Sequence, residues 1–445
     1  MSSLNKKSEN KTARVLIDCS ATFYGNLNTG IQRVVKEIVI RSGRISNKLG
    51  IPVIPIILDT YGYITLEDFL NKYEKCDKNK IKKNTKENIK KILVSKLHIN
   101  KNIYLILRAI WISLKKIKFS ILGIAQELNL FILYKKDIIY PHGDDLLLLL
   151  DAIWDVKYNN YFYHFIKILK KQNGKIIIVV YDIIPITNPE FLEKDYILKF
   201  KEIMDRIIKL SDFILTISKS EVGLIQKYLN DRLNINKKLS YFYLGCDFKN
   251  DFNFIENSGK IREQIKNLSP LAGIYMMVGT IEPRKGYDYA LDAFENLWDD
   301  GFNGILIIVG KIGWQTESLL KKINKSVYLN NKFFVFHDAN DEELHYLYKH
   351  VYALICTSLR EGFGLPVIEA MGYDKPIFAS SIPVFREIGG DYPIYFDPNK
   401  DGLIKIIKEY ENTAIKKEYK NKYCISWDNS ADMLADRIAE LISES

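Results

Sequence analysis

The chain has 445 residues and a formal net charge of +10, and 47% of its residues are hydrophobic. The length predicts two or three domains, and the apolar fraction is ordinary for a globular protein. The first residues are polar and no run of about 18 apolar residues occurs, so we expect neither a signal peptide nor a membrane-spanning helix. The five cysteines are scattered without metal-ligand spacing, which predicts reduced thiols in a cytosolic protein.

The positive charge is concentrated in one segment, Lys72–Lys118. It holds fourteen lysines and one arginine against three acidic residues, a net charge of +12, so the rest of the chain is close to neutral. An apolar stretch within it, Ile103–Leu114, is too short to span a bilayer but suits the surface of an anionic membrane. The alternative is a solvated insertion that packs on its own domain. The lysines lack interleaved aromatic residues, so no nucleic-acid partner is predicted.

The amino-terminal half opens with a buried strand, Arg14–Asp18, then a loop ending at Gly30, then a helix with apolar residues at helical spacing. This opening is Rossmann-like, although the loop lacks the GxGxxG spacing and is a weak phosphate signal. The segment Lys72–Ile124 interrupts the alternation as an insertion. Further strands are predicted at Val53–Leu58, Ile138–Tyr140, Lys175–Tyr181 and Phe213–Ile217.

Strands and helices alternate more regularly in the second half, which predicts a parallel, doubly wound sheet. The predicted strands are Ile274–Gly279, Gly304–Val309, Phe333–Phe336, Tyr352–Cys356, Pro376–Ala379 and Ile394–Phe396. The predicted helices are Gly286–Trp298, Gln315–Asn324, Asp341–His350, Leu365–Gly372, Val384–Ile388 and Leu403–Tyr410. We therefore predict two Rossmann-like domains, at residues 12–250 and 270–425, and a carboxyl-terminal helix within residues 426–445.

The most informative loop follows the predicted strand that ends at Cys356. Glu361 comes at the edge where open α/β sheets bind ligands. Two glycines follow it and let the backbone approach a ligand, and the free N–H groups of the next helix form an anion site. Glu369 lies one turn into that helix, where a carboxylate either binds a ligand or only favours the helix dipole.

A second loop, Gly279–Gly286, follows the first strand of the same predicted sheet. It places Arg284 and Lys285 at the same sheet edge, just before a helix. Two cations that face a helix N-terminus suit a pyrophosphate. The alternative is a solvated surface pair.

These motifs resemble glycosyltransferase family 4, whose members are retaining enzymes with the GT-B fold of two Rossmann-like domains. The spacing of Glu361 and Glu369 resembles the family's E-x7-E motif, and Glu282–Gly286 resembles its phosphate-clamp loop. Thr29–Val34 is similar to an amino-terminal loop of bacterial members that build surface polysaccharides. The resemblance covers nearly the whole chain except Lys72–Ile124.

The resemblance also implies roles for single residues. Arg284 and Lys285 would neutralise the donor diphosphate, Glu369 would bind the ribose hydroxyls, and Glu361 would face the donor sugar. The other residues implied at the donor site are Gly30, Thr280, Gly362, Phe363, Gly364 and Leu365.

Two positions depart from the family's pattern. Thr280 stands where many members have an arginine, and Tyr181 replaces a histidine. Asp182 either hydrogen-bonds the donor sugar or acceptor, or caps the turn that follows it. His142 is a further cleft candidate, with a structural role as the alternative.

The resemblance implies a retaining hexosyltransferase that takes a nucleotide sugar, with GDP-mannose as the first choice, and a glycan or lipid-linked acceptor. It would work in the cytoplasm, at the inner face of the membrane, without a cofactor. A departing phosphate oxygen would take the acceptor's proton, so catalysis rests on positioning and charge stabilisation. No Asp-x-Asp motif lies at a strand end, and no metal is predicted. The alternatives are a phosphorylase or epimerase on this architecture, or a non-catalytic nucleotide-sugar-binding scaffold.

Overall fold

The computed structural model describes residues 13–24, 30–59, 62–71, 137–154, 160–247, 261–268, 273–413 and 425–443. Within them the chain forms two sheets, one of seven strands and one of six. The basic insertion at Lys72–Ile124 and its membrane contact lie outside the described residues and stay predictions. In the part of the chain that the structure describes, no helix is long and apolar enough to cross a bilayer.

The amino-terminal sheet is built from continuous apolar runs. Its strands are β1 (Val15–Asp18), β2 (Val53–Asp59), β3 (Gly62–Thr65), β4 (Leu146–Leu149), β5 (Lys175–Val180), β6 (Phe213–Thr216) and β7 (Lys238–Tyr241). They lie in the order β3-β2-β1-β4-β5-β6-β7, and only β3 runs antiparallel to its neighbour. Every residue of β1, β4 and β6 is buried, as parallel strands covered by helices require.

The helices of this domain follow the strands along the chain. They are α1 (Ser20–Tyr24), α2 (Gly30–Ile40), α3 (Ser42–Leu49), α4 (Asn160–Lys171), α5 (Ile184–Thr187), α6 (Lys194–Leu210) and α7 (Lys219–Tyr228). Helix α2 buries one apolar face, which agrees with the predicted helical spacing.

The carboxyl-terminal sheet is wholly parallel. Its strands are β8 (Ile274–Val278), β9 (Ile305–Val309), β10 (Phe333–Phe336), β11 (Ala353–Cys356), β12 (Ile377–Ser380) and β13 (Ile394–Phe396). The order β10-β9-β8-β11-β12-β13 is the Rossmann order, and it reverses between β8 and β11. The loops after these two neighbouring strands therefore emerge side by side, at the point where such sheets bind ligands.

Except for the first, which was not predicted, the helices of the second domain match the predicted ones to within a few residues. They are α8 (Glu263–Leu268), α9 (Tyr287–Asp299), α10 (Glu317–Lys325), α11 (Asp341–His350), α12 (Leu365–Gly372), α13 (Pro383–Gly389) and α14 (Lys400–Glu411). The predicted domain boundaries at residues 250, 270 and 425 stay predictions, because residues 248–260, 269–272 and 414–424 lie outside the described ranges.

The last helix, α15 (Trp427–Ser443), returns to the amino-terminal domain and packs against α3. Three basic residues at helical spacing, one at the N-cap of α3 and two within it, form ion pairs with three acidic residues of α15, at 2.5–2.7 Å. The pairs are Arg41 with Asp428, Arg44 with Asp432, and Lys48 with Asp436. The indole of Trp427 is fully buried beside Gly245.

The structure corrects three predictions in the amino-terminal domain. Ile138–Tyr140 is not a strand; within it, the Ile139 N–H donates one backbone hydrogen bond to Tyr63. The central strand is the leucine run Leu146–Leu149, and the strands β3 and β7 were not predicted at all. The expectation of reduced thiols is wrong for Cys246, which is disulfide-bonded, whereas Cys19 and Cys356 are free and buried.

Docking of α15 leaves no room at Gly245. A Cβ atom there would lie 2.4 Å from the backbone nitrogen of Trp427 and 2.5 Å from its Cα, and backbone atoms cannot move aside cheaply. We expect Gly245→Ala to lower the free energy of unfolding by about 2 kcal/mol, the usual cost of overpacking. Urea denaturation followed by tryptophan fluorescence measures this.

The matched control is Gly223→Ala in the middle of α7. Nothing lies within 4 Å of a Cβ atom at this position. Alanine there should raise stability by up to about 1 kcal/mol, because glycine is a poor helix former. Equal effects of the two substitutions would contradict the packing described for α15.

Candidate functional site

The two domains meet through loops at the carboxyl ends of their strands. The Ser218 hydroxyl, after β6, donates a hydrogen bond of 2.9 Å to the backbone carbonyl of Gly362, after β11. A Cβ atom on Gly362 would lie 2.5 Å from the carbonyl oxygen of Tyr181, after β5. Glycine at this position is therefore what allows the loop that carries Glu361 to lie against the other domain.

Glu361 is held by two cations and a hydroxyl. Arg284 contacts one carboxylate oxygen at 2.6 Å, Lys285 contacts the other, and the Ser358 hydroxyl donates to it at 2.8 Å. Burial alone would raise the pKa of Glu361, but the charges of Arg284 and Lys285 outweigh it and lower the pKa to about 2. Arg284 and Lys285, the two cations predicted to bind the diphosphate, therefore form one charge cluster with Glu361.

Arg284 also contacts a second carboxylate, which sequence reasoning did not assign. Its guanidinium lies 2.6 Å from Glu282, a residue that is 1% exposed, and donates to the Arg360 carbonyl at 3.0 Å. Burial raises the pKa of Glu282, and the charge of Arg284 counteracts this only in part. The one signal in the sequence was that Glu282 precedes the two cations within the same short motif.

The first turn of α12 lies beside this cluster. Gly364, at the N-cap, has φ +110°, a conformation that favours glycine, and a Cβ atom there would lie 2.6 Å from the Phe385 ring. Phe363 is buried, and Leu365 begins the helix. The N-terminus of α12 therefore lies beside Glu361, where the positive end of the helix dipole suits an anion.

Gly30 approaches the same helix from the opposite domain, as predicted. A Cβ atom on Gly30 would lie 3.3 Å from Leu365 Cδ1. Three residues along α2, Arg33 forms an ion pair with Glu369. The hydroxyl of Tyr348 donates a hydrogen bond of 2.8 Å to the other oxygen of Glu369. Arg33 was missed because it lies off the apolar face of α2, where arginines are usually solvated.

Asp182 caps the turn that follows it. Its carboxylate accepts a hydrogen bond of 3.1 Å from the backbone N–H of Ile184. Burial raises the pKa of Asp182, although Arg284 and Arg360 oppose this rise, so the carboxyl lies within electrostatic range of the cluster. The structure thus provides the capping role and keeps Asp182 close to the cations.

The other departures and candidates fall in different places. The Tyr181 hydroxyl donates to the Leu150 carbonyl at 2.7 Å and is buried, so it points into the domain. Thr280 follows β8, and a Cβ atom on the neighbouring Gly313 would lie 2.9 Å from its methyl group. His142 precedes β4, at the amino edge of the sheet, so the prediction that it ends a strand at the cleft is wrong.

A further ion pair joins the domains behind Glu361. Arg360 contacts Glu221 of α7, whose side chain is fully buried, and also donates to the Glu361 carbonyl at 2.9 Å. The other carboxylate oxygen of Glu221 has no hydrogen-bond partner among the described residues. Among these same residues, no group of three acidic, histidine or cysteine side chains is arranged to hold a metal ion.

Residues 262–423 match the family model described as glycosyl transferases group 1. This range is therefore similar to the group 1 glycosyl transferases. The matched range contains the arginine–lysine loop and both glutamates of the E-x7-E motif. The match confirms the predicted resemblance to glycosyltransferases over residues 262–423.

Curated relatives extend the similarity beyond this domain. The serotype-specific mannosyltransferase WbdA of Escherichia coli is 32% identical over 268 residues, which are 58% of this chain and 32% of WbdA. The O-antigen chain mannosyltransferase RfbU of Salmonella typhimurium is 27% identical over 62% of this chain and 72% of its own length. The chain thus spans about a third of the length of WbdA.

Solved structures share the fold along nearly the whole chain. A glycosyltransferase from Rickettsia africae has a TM-score of 0.55 at 17% identity and covers 98% of this chain and 100% of its own. The sucrose-phosphate synthase of Thermosynechococcus elongatus has a TM-score of 0.55 at 13% identity, over 97% of this chain and 100% of its own. The predicted GT-B fold, with two Rossmann-like domains and a carboxyl-terminal helix, is confirmed.

Burial of Glu221 predicts a pH dependence of stability. Burial raises the pKa of Glu221 from 4.5 to about 8, although Arg360 opposes the shift. A carboxyl with a raised pKa binds its proton more tightly in the folded protein. Its contribution to stability is therefore complete below pH 4.5 and is lost as the pH rises through about 8.

The difference between the wild type and Glu221→Gln isolates this effect, because glutamine does not titrate. Between pH 5 and pH 8, the wild type should lose on the order of 1 kcal/mol of unfolding free energy per pH unit relative to the variant. Denaturation midpoints at several pH values measure the difference. Parallel curves for the two proteins would show that Glu221 is ionised throughout.

Proposed function

We propose that the protein is a retaining hexosyltransferase that moves a sugar from a nucleotide sugar to a glycan or lipid-linked acceptor in the synthesis of a bacterial surface polysaccharide. The observation that carries the proposal is that Arg284, Lys285 and the N-terminus of α12 all lie beside Glu361. GDP-mannose is the first choice of donor, because WbdA and RfbU are named as mannosyltransferases.

The ion pairs of the cluster indicate how a diphosphate would bind. Glu361 neutralises both cations in the structure, so an entering diphosphate would replace it on Lys285 and Arg284. Glu361 would then be available to the hydroxyls of the donor sugar. As the sugar bond breaks, both cations would stabilise the charge that grows on the leaving phosphate, and a phosphate oxygen would take the acceptor's proton.

A panel of nucleotide sugars in a thermal-shift assay tests donor binding, and a labelled donor with lipid-linked acceptors tests transfer. We expect GDP-mannose to stabilise the protein and transfer to continue in EDTA, because protein cations replace a metal. Consumption of nucleotide sugar without an acceptor would favour an epimerase or phosphorylase. Binding without turnover would favour a scaffold. Loss of transfer in EDTA that Mg²⁺ restores would contradict the metal-free reaction.

Removing the lysine of the clamp should mainly slow the reaction. Lys285→Ala should cut turnover by roughly a hundredfold or more, because a fixed cation on developing charge contributes several kcal/mol. Steady-state kinetics with a saturating donor measure the loss. The control is Lys322→Ala, which removes a lysine paired with Asp288 and Asp292 outside the clamp and should leave turnover unchanged. Near-normal turnover in Lys285→Ala would remove the clamp assignment.

The place of the reaction is also a proposal. A cytoplasmic enzyme beside the membrane would meet both a nucleotide sugar and a lipid-linked acceptor. The charge of Lys72–Lys118 supports a peripheral contact with an anionic membrane, through lysines worth about 1 kcal/mol each near such a surface.

A further inference from the structure

One ion pair connects the amino-terminal domain to the glutamate predicted to bind ribose. Arg33 of α2 and Glu369 of α12 are 336 positions apart in sequence and belong to different domains. The side chain of Glu369 is 4% exposed and that of Arg33 is 23% exposed, so the pair is shielded from most of the solvent. A shielded pair of this kind depends on both partners, because removing one leaves a buried charge without compensation.

Packing around the pair fixes its geometry. The first turns of α2 and α12 lie against each other, and Gly30 approaches Leu365 closely enough that an added Cβ atom would contact it at 3.3 Å. Arg33 lies about one turn into α2, and Glu369 lies about one turn into α12. The two side chains therefore meet from opposite sides of one helix–helix contact, beside the predicted anion site.

The carboxylate of Glu369 has a fixed partner on each oxygen. The Arg33 guanidinium donates to Oε1, and the hydroxyl of buried Tyr348 donates to Oε2 at 2.8 Å. A carboxylate offers about four lone-pair positions, so about two remain for other donors. Two fixed donors set the plane of the carboxylate and leave acceptor capacity that matches the two neighbouring hydroxyls of a ribose.

We propose that Arg33 is a positioning residue for nucleoside recognition, which acts by holding the Glu369 carboxylate from the opposite domain. This inference rests on the proposed function, in which Glu369 receives the ribose hydroxyls of the donor. It makes the nucleotide site a product of both domains, because one of the two partners that orient Glu369 comes from the amino-terminal domain.

The proposal separates two halves of the donor. Arg33 should affect binding of the nucleoside, whereas Lys285 should affect binding of the diphosphate. With GDP and guanosine as probes, Arg33→Met should weaken both by the same factor, roughly tenfold, as loss of an orienting partner does at metal sites. Lys285→Met should weaken GDP and leave guanosine unchanged. Calorimetry for GDP and ligand-observed NMR for guanosine measure the affinity of each of the two variants relative to the wild type.

Three further variants test the mechanism. Arg33→Lys keeps the charge and should restore part of the affinity. Arg44→Met removes an arginine that is 44% exposed and pairs with Asp432, so it should bind both probes like the wild type. In a Glu369→Gln background, Arg33→Met should cost little further affinity, because the carboxylate that it positions is already gone. Circular dichroism melts confirm that each variant is folded before binding is measured.

The outcomes distinguish this inference from the proposed function. If the wild type binds no nucleoside diphosphate in the panel, the proposed function fails and this inference fails with it. If the wild type binds but Arg33→Met binds equally well, only the inference is overturned. If Arg33→Met weakened the binding of GDP but not of guanosine, Arg33 would be a direct diphosphate contact. If Arg33→Met bound the probes more tightly than the wild type, Arg33 would compete with the ribose for Glu369. Either result would overturn the positioning role.

Discussion

The charge cluster around Glu361 is the constraint on which the rest of the site depends. A buried carboxylate lies beside a half-buried arginine and a half-buried lysine, and burying any one of these charges alone would cost several kcal/mol in lost hydration. The opposite charges meet because the neighbouring strands β8 and β11 bring their loops together at one edge of the sheet. The Rossmann strand order therefore brings the opposite charges close enough for their attraction to offset the lost hydration. The low pKa of Glu361 reflects its attraction to Arg284 and Lys285.

The balanced charge of the cluster around Glu361 has a consequence for the binding of a diphosphate. The ligand does not meet two free cations, since Glu361 and Glu282 already neutralise Arg284 and Lys285. The diphosphate must replace glutamate carboxylates on the two cations. The gain in binding free energy is therefore the difference between the cations paired with diphosphate and the cations paired with glutamate. The N-terminus of α12 then adds an attraction for the diphosphate that requires no ion pair to be exchanged.

Local patterns predicted the carboxyl-terminal domain well. Alternating apolar runs and helical spacing are properties of single segments, and the glycine-rich loop with Glu361 and Glu369 is a continuous motif. The amino-terminal domain was harder, because Leu146–Leu149 is a strand made of a strong helix former, and burial in a parallel sheet overrides that propensity. The polar edge strand Lys238–Tyr241 has no apolar run to reveal it.

The contacts between domains escaped prediction for a different reason. Arg33 with Glu369 and Arg360 with Glu221 join residues more than a hundred positions apart, and each partner alone looks like an ordinary surface charge. Another carboxylate, Glu387 of α13, accepts hydrogen bonds of 2.6 and 2.7 Å from the backbone N–H groups of Lys219 and Ser220 at the start of α7.

In these three interdomain contacts one domain supplies a carboxylate and the other supplies donors to it. Polar partners can be replaced by water or by ligand hydroxyls at modest cost, which buried apolar surfaces cannot. A cleft lined in this way can admit a polar donor without breaking the core of either domain. The specificity of the site then depends on how the two domains pair, and no single segment of the sequence encodes that pairing.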